Sequence, residues 1–413
     1  MRQNTVFTNP LNEPFYLQIR PNGEDCNTSC RYCRYESAEY TWGNRAHMSK
    51  KLLEKIIREQ INAQPSKSVV FAWEGGEPLL SGIDFFRDAV RLQRRIADDK
   101  IVLNILETNG LLINDQWCQF FKENNFFVYV FLDGPEHCHS YYRSDRKNGN
   151  TFSKVISAIN LLKKHRVDFV ARVSVTQYSV NYPLEIYHFL KDLGVQFIHF
   201  NPLAHWIVKE DKGFHFLLPG EKGVGELAEW SVSSLAYGKF LTTIFDEWVR
   251  NDVGERYIKL FDATLTALIG KRSLEICEFS RSCRNRLLVN FDGSAYQCNQ
   301  YISPEYKLGD LNTQPLLAIA HSSKRAELAD RKLKRTCTTC RDCDMLAICN
   351  GYCTRTRFDN IDGCDHGHTY YCQGLKYYFN HVRPYMDFMA NELKHDRPPA
   401  NVMEFARERD KKI

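Results

Sequence analysis

No run of about 18 uninterrupted apolar residues occurs anywhere in the 413-residue chain, so a membrane-crossing helix is not expected. The opening segment, MRQNTVFTNPLNEPFYLQIR, lacks the apolar stretch of roughly 7–15 residues that follows a basic start in a secretory leader. The expected location is therefore the cytoplasm. Glycine and proline are not in excess, at 22 and 14 residues, which excludes collagen-like repeats and long disordered tracts. A surplus of one charge is missing too: 55 basic residues stand against 50 acidic ones, with no long single-sign run. Neither nucleic acid nor a membrane is an expected partner. Hydrophobic residues at 43% and charged residues at 25% suit a globular chain of two or three domains, at roughly 150 residues per domain.

Cysteine is what the chain has in abundance, with 15 residues. A protein kept in a reducing compartment seldom uses thiols as staples, so metal ligation is the expectation. Cys26, Cys30 and Cys33 lie together near the start, Cys118 and Cys138 stand alone, and ten more crowd between Cys277 and Cys372. A disulfide framework is typical of short secreted chains, whereas a long stretch of regular pattern separates these two groups.

That stretch alternates short apolar runs with amphipathic segments, the signature of β/α units around a parallel sheet. Six strands are expected at 15–20, 69–74, 101–108, 126–133, 167–176 and 195–203, with helices at LLEKIIREQI, IDFFRDAVRLQRRI, QWCQFFKEN, FSKVISAINLLKKH and PLEIYHFLKDL. The predicted fold is α/β: a partial (β/α)6 barrel, whose functional groups emerge at the C-terminal ends of its strands, followed by a small cysteine-rich domain. A helical pattern runs from about 225 to 270, and LLVNFDGSAYQC reads as a hairpin turning at Asp292-Gly293. The expected division is 1–235 for the barrel, 236–275 for a helical bridge, 276–375 for the cysteine-rich domain and 376–413 for a helical tail.

Cys26, Cys30 and Cys33 form C-x3-C-x2-C directly after the first strand. A four-iron cluster that only carries electrons takes four Cys ligands, so three thiolates leave one iron open to a chelating small molecule. A zinc site is the alternative, but no fourth Cys or His follows at zinc-knuckle spacing. With Tyr32 inside the motif, this loop resembles that of the radical S-adenosylmethionine (SAM) superfamily. Gly75-Gly76-Glu77-Pro78, Thr108-Asn109-Gly110 and Asp133-Gly134-Pro135 fall at the ends of the second, third and fourth strands. They resemble the family's GGEP, TNG and DGP motifs, which implies that Gly75, Gly76, Glu77, Pro78, Thr108, Asn109 and Asp133 bind SAM. Glycine there permits a close backbone approach. His137 and His139, after the DGP turn, read as solvated or substrate-side groups, and Cys118 as a small buried hydrophobe.

In the second group, Cys277, Cys283 and Cys298 precede Cys340, Cys343, Cys349 and Cys353, spaced C-x2-C-x5-C-x3-C, and then Cys372. Eight thiols suffice for two fully ligated four-iron clusters, with two zinc ions as the alternative. This half resembles the SPASM domain of peptide-modifying radical enzymes. The resemblance implies that Cys277, Cys283, Cys298 and Cys353 hold one auxiliary cluster, and Cys340, Cys343, Cys349 and Cys372 the other. Cys337 competes as a ligand, because Cys337-x2-Cys340 also has chelating spacing.

Over nearly the whole chain the sequence resembles the anaerobic sulfatase-maturating enzymes, sharing GGEPLLSGIDFF, ETNGLLINDQWC, FLDGPE and YKLGD. That implies three 4Fe–4S clusters, SAM, a reducing donor such as flavodoxin or ferredoxin, and a peptide or protein substrate. In that family a Cys or Ser side chain loses hydrogen at Cβ and becomes formylglycine. Tyr35, Glu74 and Asn299 are the expected substrate-facing, catalytic residues. Two of them depart from the pattern: Asn299 replaces an aspartate proposed as the base, and Glu74 replaces the glutamine of QGGEP. Phe131 likewise replaces a serine. On these departures the sequence reading favours a maturase that cross-links or oxidises side chains of a ribosomal precursor peptide, with sulfatase maturation as the alternative and a non-catalytic metal-bearing peptide-binding module as a third reading.

Overall fold

The computed structural model describes residues 14–33, 47–211, 213–219, 221, 225–271, 276–334, 337–358 and 367–411. Six strands form where apolar and β-branched residues cluster: β1 (Tyr16–Arg20), β2 (Ser68–Trp73), β3 (Ile101–Thr108), β4 (Phe126–Phe131), β5 (Phe169–Val175) and β6 (Phe197–Pro202). They lie side by side in chain order, every neighbouring pair parallel. Connecting helices cover the sheet, as parallel sheets require. Each starts and stops for a local reason. Helix Lys50–Ala63 begins where the Ser49 side chain accepts from Leu52 N (3.2 Å), and buries Leu52, Leu53, Ile56 and Ile57 against the strands. Asn114 caps Asp115–Glu123 in the same way, and Pro183 supplies the preset φ that opens Pro183–Asp192.

Beyond β6 a second sheet precedes the expected helical run and takes up its first residues. β7 (Trp206–Glu210), β8 (Gly213–Phe216) and β9 (Glu226–Leu227) form a separate antiparallel sheet. Phe214, Phe216 and Trp230 cluster beneath it. Helix Ser234–Asn251 starts only at the Ser233 cap. It ends at Asp252, whose carboxylate takes the Tyr187 hydroxyl (2.7 Å) and Lys191 Nζ (2.6 Å). β10 (Tyr257–Ile258) then joins β6 before helix Lys259–Leu268.

The hairpin forms as β11 (Arg286–Asn290) and β12 (Ser294–Tyr296), turning through Gly293 at φ +91°, with β13 (Gly309–Asp310) beside it. What the sequence did not reveal is that β11 pairs parallel with β1, from Tyr16↔Arg286 to Arg20↔Asn290. The hairpin thus extends the barrel sheet to ten strands, ordered β10-β6-β5-β4-β3-β2-β1-β11-β12-β13. Leu287, Leu288 and Val289 are fully buried by this pairing. The border expected at residue 276 therefore falls between two parts of one sheet. The long helix Cys372–Lys394 lies along Ser234–Asn251, and Gly374 N donates to Ser234 Oγ (2.9 Å); a last helix, Val402–Asp410, follows. Among the described residues no helix is long and apolar enough to cross a membrane.

Candidate active site

The loop after β1 carries Cys26, Cys30 and Cys33, and the loop after β2 is pressed against it. Gly76 N donates to Gly23 O (2.9 Å) and Glu77 N to Asp25 O (2.8 Å). A Cβ on Gly76 would stand 2.2 Å from Asp25 O, and one on Gly75, at φ +129°, 2.7 Å from Gly23 O. The two glycines thus let one loop close on the other, in addition to any approach by a ligand. Glu77 is fully buried; it accepts from Leu79 N (3.0 Å), Thr108 Oγ1 (2.8 Å) and Asn109 N (2.8 Å). It fastens the loop after β2 to that after β3, and burial pushes its carboxyl up to about 7 against those donors. Asn109 Nδ2 then reaches Asn27 Oδ1 at 2.7 Å and Cys26 Sγ at 3.6 Å.

Asp133 ends β4 in a buried network. It accepts from Arg143 Nε (2.6 Å), Ser174 N (2.7 Å) and the Tyr32 hydroxyl (3.1 Å). Arg143 in turn comes within 3.9 Å of Cys30 Sγ. Neither Arg143 nor Ser174 sits in a motif, so nothing in the sequence marked them. His139 is buried, not solvated: Nδ1 accepts from Asp133 N (3.4 Å) and Nε2 pairs with Thr151 Oγ1 (3.0 Å). Burial, with Arg143 nearby, lowers it to about 4. Cys118 is fully buried in the core.

These loops open onto a cleft of about 1380 Å³ lined by the three cysteines, Gly75, Gly76 and Asn109. Glu77, Pro78, Thr108 and Asp133 do not line it; Glu77, Thr108 and Asp133 stand behind as fasteners. Phe131 lines the cleft too, its ring 5.1 Å from the Arg143 guanidinium and 5.3 Å from that of Arg172.

The opposite wall comes from the C-terminal half. Cys277, Cys283, Cys298 and Cys353 line an adjoining cavity of about 1240 Å³. Burial raises all four thiols, Cys298 to about 12 and Cys353 to about 11, while Arg286 acts on Cys277, Cys283 and Cys298, and Lys332 on Cys283 and Cys353, to favour the ionised sulfurs. Cys340, Cys343, Cys349 and Cys372 line a smaller, mostly apolar cavity of about 450 Å³ with Met345, Leu375 and Phe379. Among the described residues no three His, Cys, Asp or Glu side chains are gathered as one metal ion requires. Thiols spread in fours around a cavity accommodate a body larger than a single zinc, whose ligands sit about 2.3 Å from the ion. Cys337 is disulfide-bonded and buried, so it does not compete as a ligand.

Glu74 and Asn299 meet between these walls. Asn299 Nδ2 donates to Glu74 Oε2 (3.1 Å), which also accepts from Gln18 Nε2 (2.6 Å). Glu74 is buried at the end of β2; burial, reinforced by Glu107 and opposed by Arg20 and the Gln18 bond, pushes its carboxyl up to about 7. Asn299 lines both the cleft and the adjoining cavity. Tyr35 lies outside the described residues.

Comparison with known proteins agrees with this arrangement. Residues 23–199 match the radical SAM superfamily and 277–344 the SPASM iron-sulfur cluster-binding domain. The chain is 40% identical over 406 residues to a serine-type anaerobic sulfatase-maturating enzyme of Bacteroides thetaiotaomicron, covering 98% of both chains. It is 31% identical to a cysteine-type anaerobic sulfatase-maturating enzyme of Clostridium perfringens, covering 92% of this chain and all of that one. Its fold matches native anSMEcpe with bound AdoMet and Cp18Cys peptide at a TM-score of 0.80 and 29% identity, over 92% of this chain and 100% of the other. The two matched domains make SAM and several 4Fe–4S clusters the cofactors of this enzyme. Alike to these relatives from one end to the other, the chain belongs to the anaerobic sulfatase-maturating enzymes of the radical SAM superfamily.

Proposed function

We propose that the enzyme converts a seryl or cysteinyl residue of a sulfatase to formylglycine, with serine the nearer case. The carrying observation is the cleft itself: Cys26, Cys30 and Cys33 stand on one wall, and Asn299 with Cys353 on the other. A side chain held there lies between two cysteine groups of unequal coordination. The end-to-end likeness to serine-type and cysteine-type maturating enzymes supports this reading over the cross-linking one favoured by the sequence.

The three thiols of the first loop fit a cluster with one open iron, and the two sets of four fit fully ligated auxiliary clusters. Cys26, Cys30 and Cys33 would hold the cluster that binds SAM, and with a flavodoxin- or ferredoxin-type donor that pair would supply a 5′-deoxyadenosyl radical for hydrogen abstraction at the substrate Cβ. The protein's part is positional. Asn109 and the Gly75-Gly76 backbone form the wall beside the first cysteines, while Glu77, Thr108 and Asp133 hold that wall in register through the bonds described above. Arg143 puts a fixed positive charge near Cys30.

The test uses anaerobically reconstituted enzyme, SAM, a reductant and sulfatase peptides carrying Ser or Cys. Mass spectrometry should show a product two hydrogens lighter for Ser, or the exchange of thiol for aldehyde for Cys. Replacing Cys26, Cys30 and Cys33 by Ala should abolish 5′-deoxyadenosine formation and lower iron from about 12 to about 8 per chain, at four irons per cluster. A product with a new side-chain linkage and no aldehyde would refute the proposal.

A further inference from the structure

Glu74 carries two oxygens with different fates. Oε2 is fixed from two sides, by Gln18 Nε2 at 2.6 Å and Asn299 Nδ2 at 3.1 Å. Among the described residues, Oε1 is buried with no hydrogen-bond partner. A carboxylate oxygen left without a donor inside a protein costs free energy unless something completes it, and this residue lines the cleft. Of the other carboxylates there, Glu107 is ion-paired with Arg172 (2.5 Å), and Glu278 Oε2 lies 3.5 Å from Cys277 Sγ. Among the ring nitrogens, His205 Nδ1 takes the Trp230 indole N–H (3.0 Å).

We infer that Glu74 is the general base of the oxidation, with Asn299 as its positioning residue. The assignment rests on the formylglycine reading and deepens it. Once hydrogen has left Cβ, a serine substrate is a carbon-centred radical still bearing its O–H. Forming the C=O bond requires loss of one proton and one electron. The proton passes from the substrate oxygen to Glu74 Oε1. The electron acceptor would be an auxiliary cluster held in part by Cys298, the residue next to Asn299. Counting the hydrogen atom already taken, the side chain loses two hydrogens in all and becomes an aldehyde. With cysteine the same steps give a thioaldehyde, which water converts to the aldehyde and hydrogen sulfide.

The arrangement also accounts for the two departures seen in the sequence. An amide at 299 and a carboxylate at 74 form one hydrogen-bonded pair, so the acidic member has changed sides of a 3.1 Å contact and has not been lost. Exchanging the two should therefore preserve the chemistry.

The experiment compares wild type, Glu74→Gln, Asn299→Asp and the double exchange Glu74→Gln/Asn299→Asp, each reconstituted and matched for iron content and peptide affinity. Glu74→Gln should lower aldehyde formation by about 100-fold or more, within the usual range for a general base. It should still produce 5′-deoxyadenosine that carries deuterium from Cβ-labelled peptide. The double exchange should recover at least a tenfold part of the loss. In a measurement without turnover, the infrared carboxylate band that vanishes in Glu74→Gln should shift when wild type, without reductant, binds a Ser peptide, and stay put with an Ala peptide. Aldehyde formation within threefold of wild type in Glu74→Gln overturns the assignment, as does a double exchange no better than the single or an unmoved band. A wild type inactive on every sulfatase peptide overturns the formylglycine reading together with the assignment, so the two failures are distinguishable.

Discussion

At the scale of single residues, the site depends on buried polar groups whose partners come from several neighbouring strands and loops. His139 illustrates the cost of such a group at low pH. Burial holds it near 4, while the unfolded chain binds a proton at the ordinary 6.5. Its contribution to stability is thus complete above 6.5 and is lost as pH falls through 4, by up to about 3 kcal/mol. Urea titrations at a series of pH values should show His139→Gln with a flatter acid limb than wild type, and identical slopes would contradict this. A solvated or substrate-side environment was expected for His139 because it follows a DGP turn; only the fold shows Thr151 and Asp133 closing over it. Glu77, by contrast, was legible as part of a motif, although its function in the structure is to join two loops.

Between elements, helix Cys372–Lys394 packs tightly along Ser234–Asn251 at two glycines. A Cβ on Gly374 would fall 1.8 Å from Ser234 O, and one on Gly238 would fall 2.5 Å from Gly374 O. Alanine ordinarily favours a helix by about 1 kcal/mol over glycine. Here the clash is with backbone, which cannot swing aside, and overpacking of this kind typically costs about 1–3 kcal/mol. Gly374→Ala should therefore lower the melting temperature. Because Cys372 opens the same helix, iron content should also drop by about one cluster, or four irons. A variant with unchanged melting temperature and iron would show that the helices can part freely. Strand and helix positions in the first 200 residues were readable from apolar periodicity, often to within a residue or two, as with β3 and helix Ile83–Ile96. β7 and β8 were not, because Lys209, Glu210 and Asp211 break any alternation and the aromatic support arrives from Trp230.

For the molecule as a whole, the parallel pairing of β11 with β1 was beyond any local signal, since its partners are remote in sequence. It makes the cysteine-rich half an extension of the barrel. Residues 276–413 produced alone should expose Leu287 and Val289 and the free edge of β11, a liability for aggregation. Gel filtration and iron analysis should find that piece aggregated and short of iron, whereas a monodisperse fragment binding about eight irons would argue for an independent domain. The grouping of eight thiols into two sets of four is a property of this scale too. Spacing supplied the candidates, but the fold brings Cys353 to Cys277 and Cys372 to Cys340.

That same pairing bears on how the protein is made. Tyr16 leaves the ribosome long before its neighbour Arg286, and at roughly 5–20 residues per second the wait is on the order of tens of seconds. During that interval the nascent first loop lacks its flanking strand, so the metal-loading machinery of the cell meets either naked thiols on an unfinished chain or a completed one that must be filled from outside.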